Sequence, residues 1–288
     1  MMESLSGLLR VEGLTVDFDD GKPVAHRALD SVSLSIAQGE IVGLLGESGS
    51  GKTVLAHTIL GLLPANGQVK TGKIFWQDCE LLGLSEEKLR CIRGREIAMI
   101  FQDPQASLNP VYPVGRQIEW VLRLHRGIKG HGARAEMMRL LESVKLRHPN
   151  RCADAYPHEL SGGMCQRVMI AMALAGRPKL LIADEATSAL DVSVAAEIVS
   201  LLASLREEFK LSILVITHDL SVATCLADRI AVLDQSRLVE QVESAKFFSH
   251  TQHPATRNLI RASQFLGAAL QNMPYSTTGP AEASVMKN

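Results

Sequence analysis

Residues 46–53 read GESGSGKT, and this stretch limits what the chain can fold into more than any other. It matches the full pattern G-x-x-x-x-G-K-S/T of a phosphate-binding loop (P-loop), which requires a strand before it and a helix after it. The sequence supplies both, because the apolar run GEIVGLLG precedes the loop and TVLAHTILGLL, with apolar residues at helical spacing, follows it. The chain is therefore predicted to contain an α/β core with a phosphate site.

The residues of this loop have distinct expected roles. Its glycines let the backbone wrap closely, so that N–H groups point at phosphate oxygens, and the following helix N-terminus adds partial positive charge. Lys52 is expected at the β- and γ-phosphates, and Thr53 is expected to offer its hydroxyl to Mg²⁺. A purely structural glycine turn is the weaker alternative, because strand and helix are both in place. The predicted nucleotide-binding residues are Gly46, Glu47, Ser48, Gly49, Ser50, Gly51, Lys52 and Thr53.

Two acidic residues follow another apolar run, LLIADE. We expect this run to be a strand neighbouring the P-loop strand, so that Asp184 and Glu185 emerge at the sheet edge where open α/β folds bind ligands. Asp184 is expected to bind Mg²⁺, and Glu185 to polarise the attacking water as general base. A solvated turn is the alternative. His218, after the buried run LSILVIT, is predicted within reach of the γ-phosphate.

Composition narrows the class of protein. The net charge of −1 gives no overall field that would attract nucleic acid or an acidic membrane surface, although a local basic patch stays possible. The first residues lack the basic character of a signal peptide, and no stretch reaches the roughly 18 apolar residues that span a bilayer. The five cysteines never form a C-x-x-C arrangement, so neither a disulfide framework nor a zinc site is indicated. We expect a cytosolic chain with reduced thiols.

Strand and helix patterns alternate along the chain and predict a parallel sheet with both faces covered. LLRVEGLTVDF and RALDSVSLSI are predicted as antiparallel strands, and GQVKTGKIFWQ as a further strand pair. Prolines and helical periodicity after residue 104 predict a helical insertion, and the tail beyond Gly267 is predicted to be disordered. The predicted parts are the first part of the core (1–104), the helical subdomain (105–157), the second part of the core (158–240) and a C-terminal extension (241–288).

The segment LSGGMCQR, Leu160 to Arg167, resembles the signature sequence of ATP-binding cassette (ABC) proteins. Other motifs of that family match in order: Gln102 resembles the Q-loop glutamine, SALD at residues 188–191 the D-loop, His218 the switch histidine, and Phe18 the aromatic that stacks on adenine. The resemblance covers roughly residues 8 to 260. It implies a P-loop NTPase (RecA-like) core, an antiparallel β subdomain and an inserted helical subdomain.

The resemblance also assigns roles at the site. It implies ATP and Mg²⁺ as cofactors, with the metal bound by Thr53, Gln102 and Asp184. It implies catalytic roles for Glu185, His218 and Gln102. Its further nucleotide contacts are Phe18, Ser161, Gly162, Gly163 and Asp191.

The residue types in the signature sequence indicate an anion-binding site. Ser161, Gly162 and Gly163 precede the apolar helix VMIAMALA, so their hydroxyl and N–H groups form an anion site at a helix N-terminus. The resemblance implies that two cassettes associate head to tail, with this segment closing on the nucleotide of the other chain. A simple N-cap is the alternative.

Several segments resemble the ATPase subunits of bacterial peptide and nickel importers, among them FQDPQASLNPVYPVGRQI and HPATRNLI. This branch implies transmembrane permease subunits, a second, similar but distinct ATPase chain, an external substrate-binding protein, and a place at the cytoplasmic face of the inner membrane. Ala186 stands where the family commonly has proline, which leaves the turn after Glu185 freer. No cysteine follows Cys225, so the iron–sulfur cluster of some members is excluded, and His250 with His253 is a poor nickel site.

The leading hypothesis is thus an importer ATPase for peptides, nickel or metal chelates. The alternative is a soluble ABC ATPase that acts on nucleic acid or ribosomes, but such proteins generally carry coiled-coil insertions or two cassettes in one chain. A P-loop kinase or GTPase would not need the LSGGM segment. No nucleic-acid partner is expected.

Overall fold

The computed structural model describes residues 7–19, 21, 25–188 and 190–271, with side chains described as far as residue 262. The chain forms a four-stranded sheet, a six-stranded sheet and helices around the larger sheet. The strands are β1 (Leu9–Phe18), β2 (His26–Ile36), β3 (Ile41–Leu45), β4 (Gly67–Trp76), β5 (Cys79–Glu80), β6 (Ile97–Ile100), β7 (Leu180–Asp184), β8 (Ser212–Thr217), β9 (Arg229–Asp234) and β10 (Arg237–Glu243). The helices are α1 (Lys52–Ile59), α2 (Glu86–Ile92), α3 (Pro104–Ser107), α4 (Val114–Arg126), α5 (Gly130–Ser143), α6 (Pro149–Asp154), α7 (Gly162–Leu174), α8 (Val192–Phe209), α9 (Leu220–Leu226), α10 (Phe247–His250) and α11 (Pro254–Gln271).

The four-stranded sheet is antiparallel, with the order β2-β1-β4-β5. The predicted pairing of β1 with β2 is observed. The prediction for GQVKTGKIFWQ was wrong, because these residues form mainly the single strand β4, which pairs with β1. Gly72 does not turn the chain but lies beside a bulge in β1, where a Cβ on Gly72 would be 2.5 Å from the Leu14 Cα. Its φ of 104° is accessible to glycine, so the strand continues through it.

The six-stranded sheet has the order β10-β9-β3-β8-β7-β6 and is parallel except for β10. The P-loop strand β3 therefore neighbours β8 and β9, and the expectation that β7 lies next to it was wrong. Periodicity cannot rank strands within a sheet, since every buried parallel strand has the same continuous apolar pattern. The carboxyl ends of β3, β8 and β7 are level. Leu45 on β3 lies opposite Thr217 on β8, and Asp184 on β7 lies opposite Ile216 on β8.

Both faces of the larger sheet are buried. On β3, Val42 and Leu44 belong to a core shared with α1 and the antiparallel sheet, whereas Ile41 and Leu45 belong to a core shared with α4, α5, α7, α8 and α9. This alternation along one strand is the physical reason for the unbroken apolar runs in the sequence.

The helical segment after residue 104 contains α3 to α6 and packs against α7. A group of ionic side chains, which we call the Glu136 cluster, joins it to the rest of the chain. Glu136 on α5 accepts hydrogen bonds from Arg126 (2.6 Å) and Arg139 (3.1 Å) and lies 3.5 Å from Arg177. Arg139 also lies 3.6 Å from Glu208 at the end of α8. Hydrogen bonds from Arg139 and Arg126 lower the pKa of Glu136 to about 2.

A seam of polar contacts joins the two sheets along β2 and β10. The Asp30 N–H donates to the Ser236 carbonyl (2.8 Å), and the Arg237 Nη2 lies 2.6 Å from the Asp30 Oδ2. The Gln241 side chain donates to the Ser33 carbonyl over 3.3 Å. β2 of the smaller sheet therefore contacts the start and the middle of β10, the edge strand of the larger sheet.

The C-terminal extension is attached to the core by Phe247, which is completely buried. Helix α11 then runs to Gln271, so the predicted start of the disordered tail at Gly267 was too early. Alanine and leucine in the sequence FLGAALQ favour continuation of the helix. The remainder of the predicted tail lies outside the described residues.

Candidate active site

The P-loop joins β3 to α1 through close approaches that exclude larger residues. Gly51 has a φ of 108°, and a Cβ there would lie 2.3 Å from the Ala28 carbonyl oxygen. A Cβ on Gly46 would lie 2.2 Å from the Leu233 carbonyl oxygen. By contrast, the Cβ position of Gly49 is open, with no atom within 4 Å, and this glycine lines a cavity. The loop thus combines two tightly packed glycines with one that leaves free space.

Lys52, the first residue of α1, is only 5% exposed. Its ammonium donates to the carbonyls of Gly46 and Glu47, both at 2.8 Å. Burial lowers the pKa of Lys52, while the carboxylates of Glu185, Asp184 and Glu47 act in the opposite direction. The positive charge is held inside the loop, where an anionic ligand would offset the cost of its burial.

Ser50 contributes a second sign of an anion-binding loop. Its hydroxyl oxygen is buried and has no hydrogen-bond partner in the described part of the chain. An unsatisfied buried hydroxyl costs free energy, and a ligand with acceptor oxygens would satisfy it. The P-loop therefore fits a phosphate group by its chemistry as well as by its sequence.

Thr53 on α1 and Asp184 at the end of β7 are in contact, although β8 lies between β7 and the P-loop strand β3. The Thr53 Oγ1 lies 3.3 Å from the Asp184 Oδ1. Burial raises the pKa of Asp184, and the hydrogen bond from Thr53 counteracts part of that effect. A hydroxyl and a carboxylate are oxygen ligands of the kind that Mg²⁺ prefers, and a cation would compensate the buried negative charge. These two residues fit a magnesium site.

Glu185 is oriented by two side chains predicted separately from the sequence. The Gln102 Nε2 donates to the Glu185 Oε2 over 2.8 Å, and the His218 Nδ1 lies 3.1 Å from the Glu185 Oε1. The backbone φ of Glu185 is 45°, in the left-handed region that residues other than glycine rarely adopt. A proline after Glu185 would favour extended angles, so Ala186 is compatible with this turn. Ser188 holds the turn by donating to the Glu185 carbonyl over 3.0 Å.

A cavity of about 460 Å³ joins these groups. Phe18, the predicted adenine platform, lines it and lies on β1 directly opposite His26 of β2, an aromatic side chain that also lines the cavity and is a rival platform. His218 lines the adjoining groove between α8 and α9. Its imidazole contacts the carboxylate of Glu185, which lines both the groove and the cavity. The cavity is lined by Phe18, His26, Ala28, Ser48, Gly49, Gly51, Lys52, Thr53, Val54, Gln102 and Glu185.

The signature segment does not line this cavity. Ser161 is the N-cap of α7, and its hydroxyl accepts from the Met164 N–H over 3.3 Å. Gly163 packs on α8, because a Cβ there would lie 2.8 Å from the Val194 Cγ1. Asp191 caps α8 by accepting from the Val194 N–H over 2.9 Å. The structure therefore brings Ser161, Gly163 and Asp191 near one another but not near their own chain's P-loop cavity.

Some features of the site were missed from the sequence. The backbone at Ala28, a residue of β2, packs against Gly51, and Val54 lines the cavity, yet neither belongs to a recognisable motif. The apolar alternation around Ala28 indicated only a strand. Contacts between Gly163 and Val194 were also missed, since nothing in the local pattern tells which helix a glycine will face.

Comparison with known proteins adds a family to this geometry. Residues 29–188 match the family model described as "ABC transporter", and these residues make up more than half of the chain. The chain belongs to the ABC transporter family. The segment from Leu160 to Arg167 and Gln102 lie within the matched residues.

Relatives and solved structures agree with this assignment. The chain is 48% identical over 256 residues to the peptidoglycan transport ATP-binding protein YejF of Agrobacterium fabrum, covering 88% of this chain but 47% of that protein. It is 45% identical to the dipeptide transport ATP-binding protein DppD of Escherichia coli, covering 88% of this chain and 78% of the relative. The cassette MJ0796, solved as a dimer in a post-hydrolysis state with ADP and Pi, is 30% identical with a TM-score of 0.73, covering 82% of this chain and 98% of MJ0796.

These findings confirm the predicted family, the P-loop α/β fold and the transport ATPase class. They do not favour the alternative of a soluble ATPase that acts on nucleic acid or ribosomes. Among the described residues, none of the helices combines the length and the apolar character needed to cross a bilayer.

Proposed function

We propose that this cassette hydrolyses ATP for a peptide importer, bound to permease subunits at the cytoplasmic face of the membrane. The observation that carries the catalytic part is the Glu185 carboxylate held between Gln102 and His218 at the edge of the P-loop cavity. Peptide as the cargo is supported by the name of the DppD relative. The sequence resemblance extends to nickel importers, so nickel or a metal chelate is the competing cargo.

The residues divide the work of hydrolysis as follows. Lys52 and the P-loop N–H groups bind the phosphates of ATP, and Phe18 supports the adenine ring. Glu185 accepts a proton from the attacking water. Gln102 and His218 keep its two oxygens oriented, so that little reorganisation is needed when the proton moves. Thr53 and Asp184, with Gln102 lining the same cavity as Thr53, would hold Mg²⁺, whose charge would offset that of the phosphates.

The signature supports action on a second cassette. Ser161, Gly162 and Gly163 lie outside the P-loop cavity of their own chain, so a nucleotide contact by them requires another chain. The dimeric MJ0796 structure supports an arrangement of two cassettes. We take the partner to be a similar but distinct ATPase chain, with the isolated cassette monomeric and slow.

An exposed apolar patch supports a docking surface for the permease. Tyr112 and Trp120 are both about 42% exposed and form an edge-to-face pair with centroids 4.6 Å apart. Leu124 on α4 and Phe101, directly before Gln102, are exposed as well. Exposed aromatic residues of this kind commonly anchor protein interfaces. We assign the helical subdomain, residues 105–157, the role of linking the permease to the active site.

Reconstitution of the transporter in vesicles tests this function. We expect the isolated chain to hydrolyse Mg-ATP slowly, and the complex with permease, partner ATPase and binding protein to hydrolyse it faster and take up peptide. Trp120→Ala should lose the stimulation by the permease but keep ATP binding. Phe248→Ala removes an even more exposed aromatic side chain, on α10 outside the helical subdomain, and serves as the control. Uptake of nickel in place of peptide would contradict the proposed cargo, and stimulation that survives Trp120→Ala would contradict the docking surface.

A further inference from the structure

Arg167, on the signature helix α7, connects three helices through one guanidinium group. Its Nη1 donates to the carbonyl of Val144, which caps α5, over 2.8 Å. Its Nη2 donates to the Glu197 Oε2 on α8 over 2.6 Å. The Arg167 side chain is only 12% exposed, so these acceptors are the compensation for its buried charge.

The same two helices, α7 and α8, meet at the signature itself. Gly163 approaches Val194 in the first turn of α8, as its Cβ position 2.8 Å from the Val194 Cγ1 indicates. The Cβ position of Gly162 lies 3.9 Å from the Leu190 side chain, just before α8. The placement of the signature thus depends on how α7 rests on α8.

Arg167 has no contact with the P-loop cavity, whose lining excludes it. Its polar contacts all serve to hold α7 relative to α5 and α8. Two charge-assisted hydrogen bonds from one planar guanidinium fix the orientation of α7 as well as its distance from α5 and α8. A lysine ammonium in the same place would fix that orientation less well.

We propose that Arg167 is a positioning residue for the signature, and that with Glu197 it sets the position of Ser161, Gly162 and Gly163 toward the nucleotide of the second cassette. The inference rests on the proposed function and deepens it, because it names the contact that aligns this chain's half of the partner's ATP site. Arg167 is not assigned any contact with ATP.

Site-resolved trapping in the assembled transporter tests the proposal. A photoreactive ATP is trapped with vanadate, and the label on this chain's P-loop is measured separately from the label on the partner's P-loop. Arg167→Met should slow trapping at the partner's P-loop by about tenfold to a hundredfold, since a misplacement of about 1 Å costs on the order of a hundredfold in rate. Trapping at this chain's own P-loop and its ATP affinity should stay unchanged.

The variants are chosen to separate positioning from stability. Arg167→Lys keeps the charge but not the fork and should recover part of the loss, and Glu197→Gln should show a smaller defect at the same site. Arg134→Met is the matched control, because Arg134 forms an exposed pair with Asp154 (3.2 Å) in the helical segment. Thermal unfolding of each variant is measured in parallel.

The possible outcomes are distinct. Equal loss at both P-loops, or a loss that follows the melting temperature across the variants, overturns the positioning role. Unchanged trapping in Arg167→Met and Glu197→Gln overturns it as well. Ser161→Arg serves as the reference: if it leaves trapping at the partner's P-loop intact, the head-to-tail arrangement of the proposed function fails, and this inference fails with it. If Ser161→Arg blocks that trapping and Arg167→Met does not, only the inference fails.

Discussion

The P-loop site and the Glu136 cluster both bury charged side chains, yet burial dominates the pKa values in the first region and hydrogen bonds dominate in the second. At the P-loop site, burial raises the pKa of Asp184, which contacts Thr53, and lowers that of Lys52, so both charged forms are disfavoured. In the Glu136 cluster, hydrogen bonds from Arg139 and Arg126 hold the pKa of Glu136 at about 2, so its charged form is favoured.

The difference separates binding from stability. Charges that remain incompletely compensated in the free protein are compensated when a phosphate and a cation bind, which favours the ligand. Charges already compensated within the chain add nothing to binding and stabilise the fold instead. Substitutions in the two regions should therefore move activity and stability in different directions.

The largest effect is expected for Glu185→Gln. The amide keeps the shape of the side chain but cannot accept a proton, so hydrolysis by the transporter should fall by about a hundredfold to ten-thousandfold. ATP binding, measured by calorimetry, should persist, and dimers should accumulate with ATP. Glu142→Gln, at an exposed position on α5, is the control. Hydrolysis near the wild-type rate in Glu185→Gln would remove the general base assignment.

Glu136→Gln tests the other region and should lower the free energy of unfolding by about 2 kcal/mol at pH 7. The pKa of Glu136 falls from 4.5 in the unfolded chain to about 2 in the fold, so the stabilisation is complete above pH 4.5. It is lost as the pH falls from 4.5 toward 2. Denaturant unfolding of wild type and variant at a series of pH values measures this. A difference that stays constant down to pH 2 would assign the loss to packing rather than to charge.

Phe18→Ala should raise the dissociation constant of ATP about fivefold, since stacking contributes on the order of 1 kcal/mol. His26 lies directly opposite Phe18 and is the rival platform. Fluorescence titration with a labelled ATP compares Phe18→Ala, His26→Ala and the double variant. A weaker affinity in His26→Ala with no change in Phe18→Ala would transfer the role to His26.

Asp184→Asn should have the smallest effect on the fold, and of opposite sign to Glu136→Gln. Removing a buried charge should raise the free energy of unfolding of the nucleotide-free chain by about 0.5–1 kcal/mol at pH 7. Because burial raises the pKa of Asp184, the gain should shrink as the pH falls and the wild-type carboxylate takes up a proton. Thermal unfolding without and with Mg-ATP measures both states. Destabilisation of the nucleotide-free chain would show that the Asp184 carboxylate stabilises the fold, as the Glu136 carboxylate does.

Motif residues could be predicted from the sequence because their chemistry depends on local order along the chain. The glycines, Lys52 and Thr53 follow one another in a single loop, and a strand before and a helix after are sufficient to recognise it. The contact between Thr53 and Asp184 could be expected only in general terms, because the strand order was not predictable. Periodicity shows that β7 and β8 are buried but does not show that β8 lies between β3 and β7.

Contacts between side chains far apart in sequence were beyond such reasoning. Gln102, Glu185 and His218 were each expected to have a catalytic role, but their mutual hydrogen bonds depend on the packing of three separate segments. The prediction of a strand pair in GQVKTGKIFWQ failed for a related reason, since a glycine such as Gly72 is equally suited to a turn and to a bulge. Only the partner strand decides between them.

The seam along β2 and β10 has a consequence for solubility during folding. A bare edge strand offers unpaired N–H and C=O groups to any other chain, and it is a common origin of aggregation. Here β2 lies against this edge: the Asp30 N–H donates to the Ser236 carbonyl just before β10, and the side chains of Arg237 and Gln241 contact Asp30 and Ser33. A folding intermediate in which the larger sheet forms before β2 docks would expose β10. The order in which the two sheets associate therefore affects the fraction of the protein that folds without aggregating at high concentration.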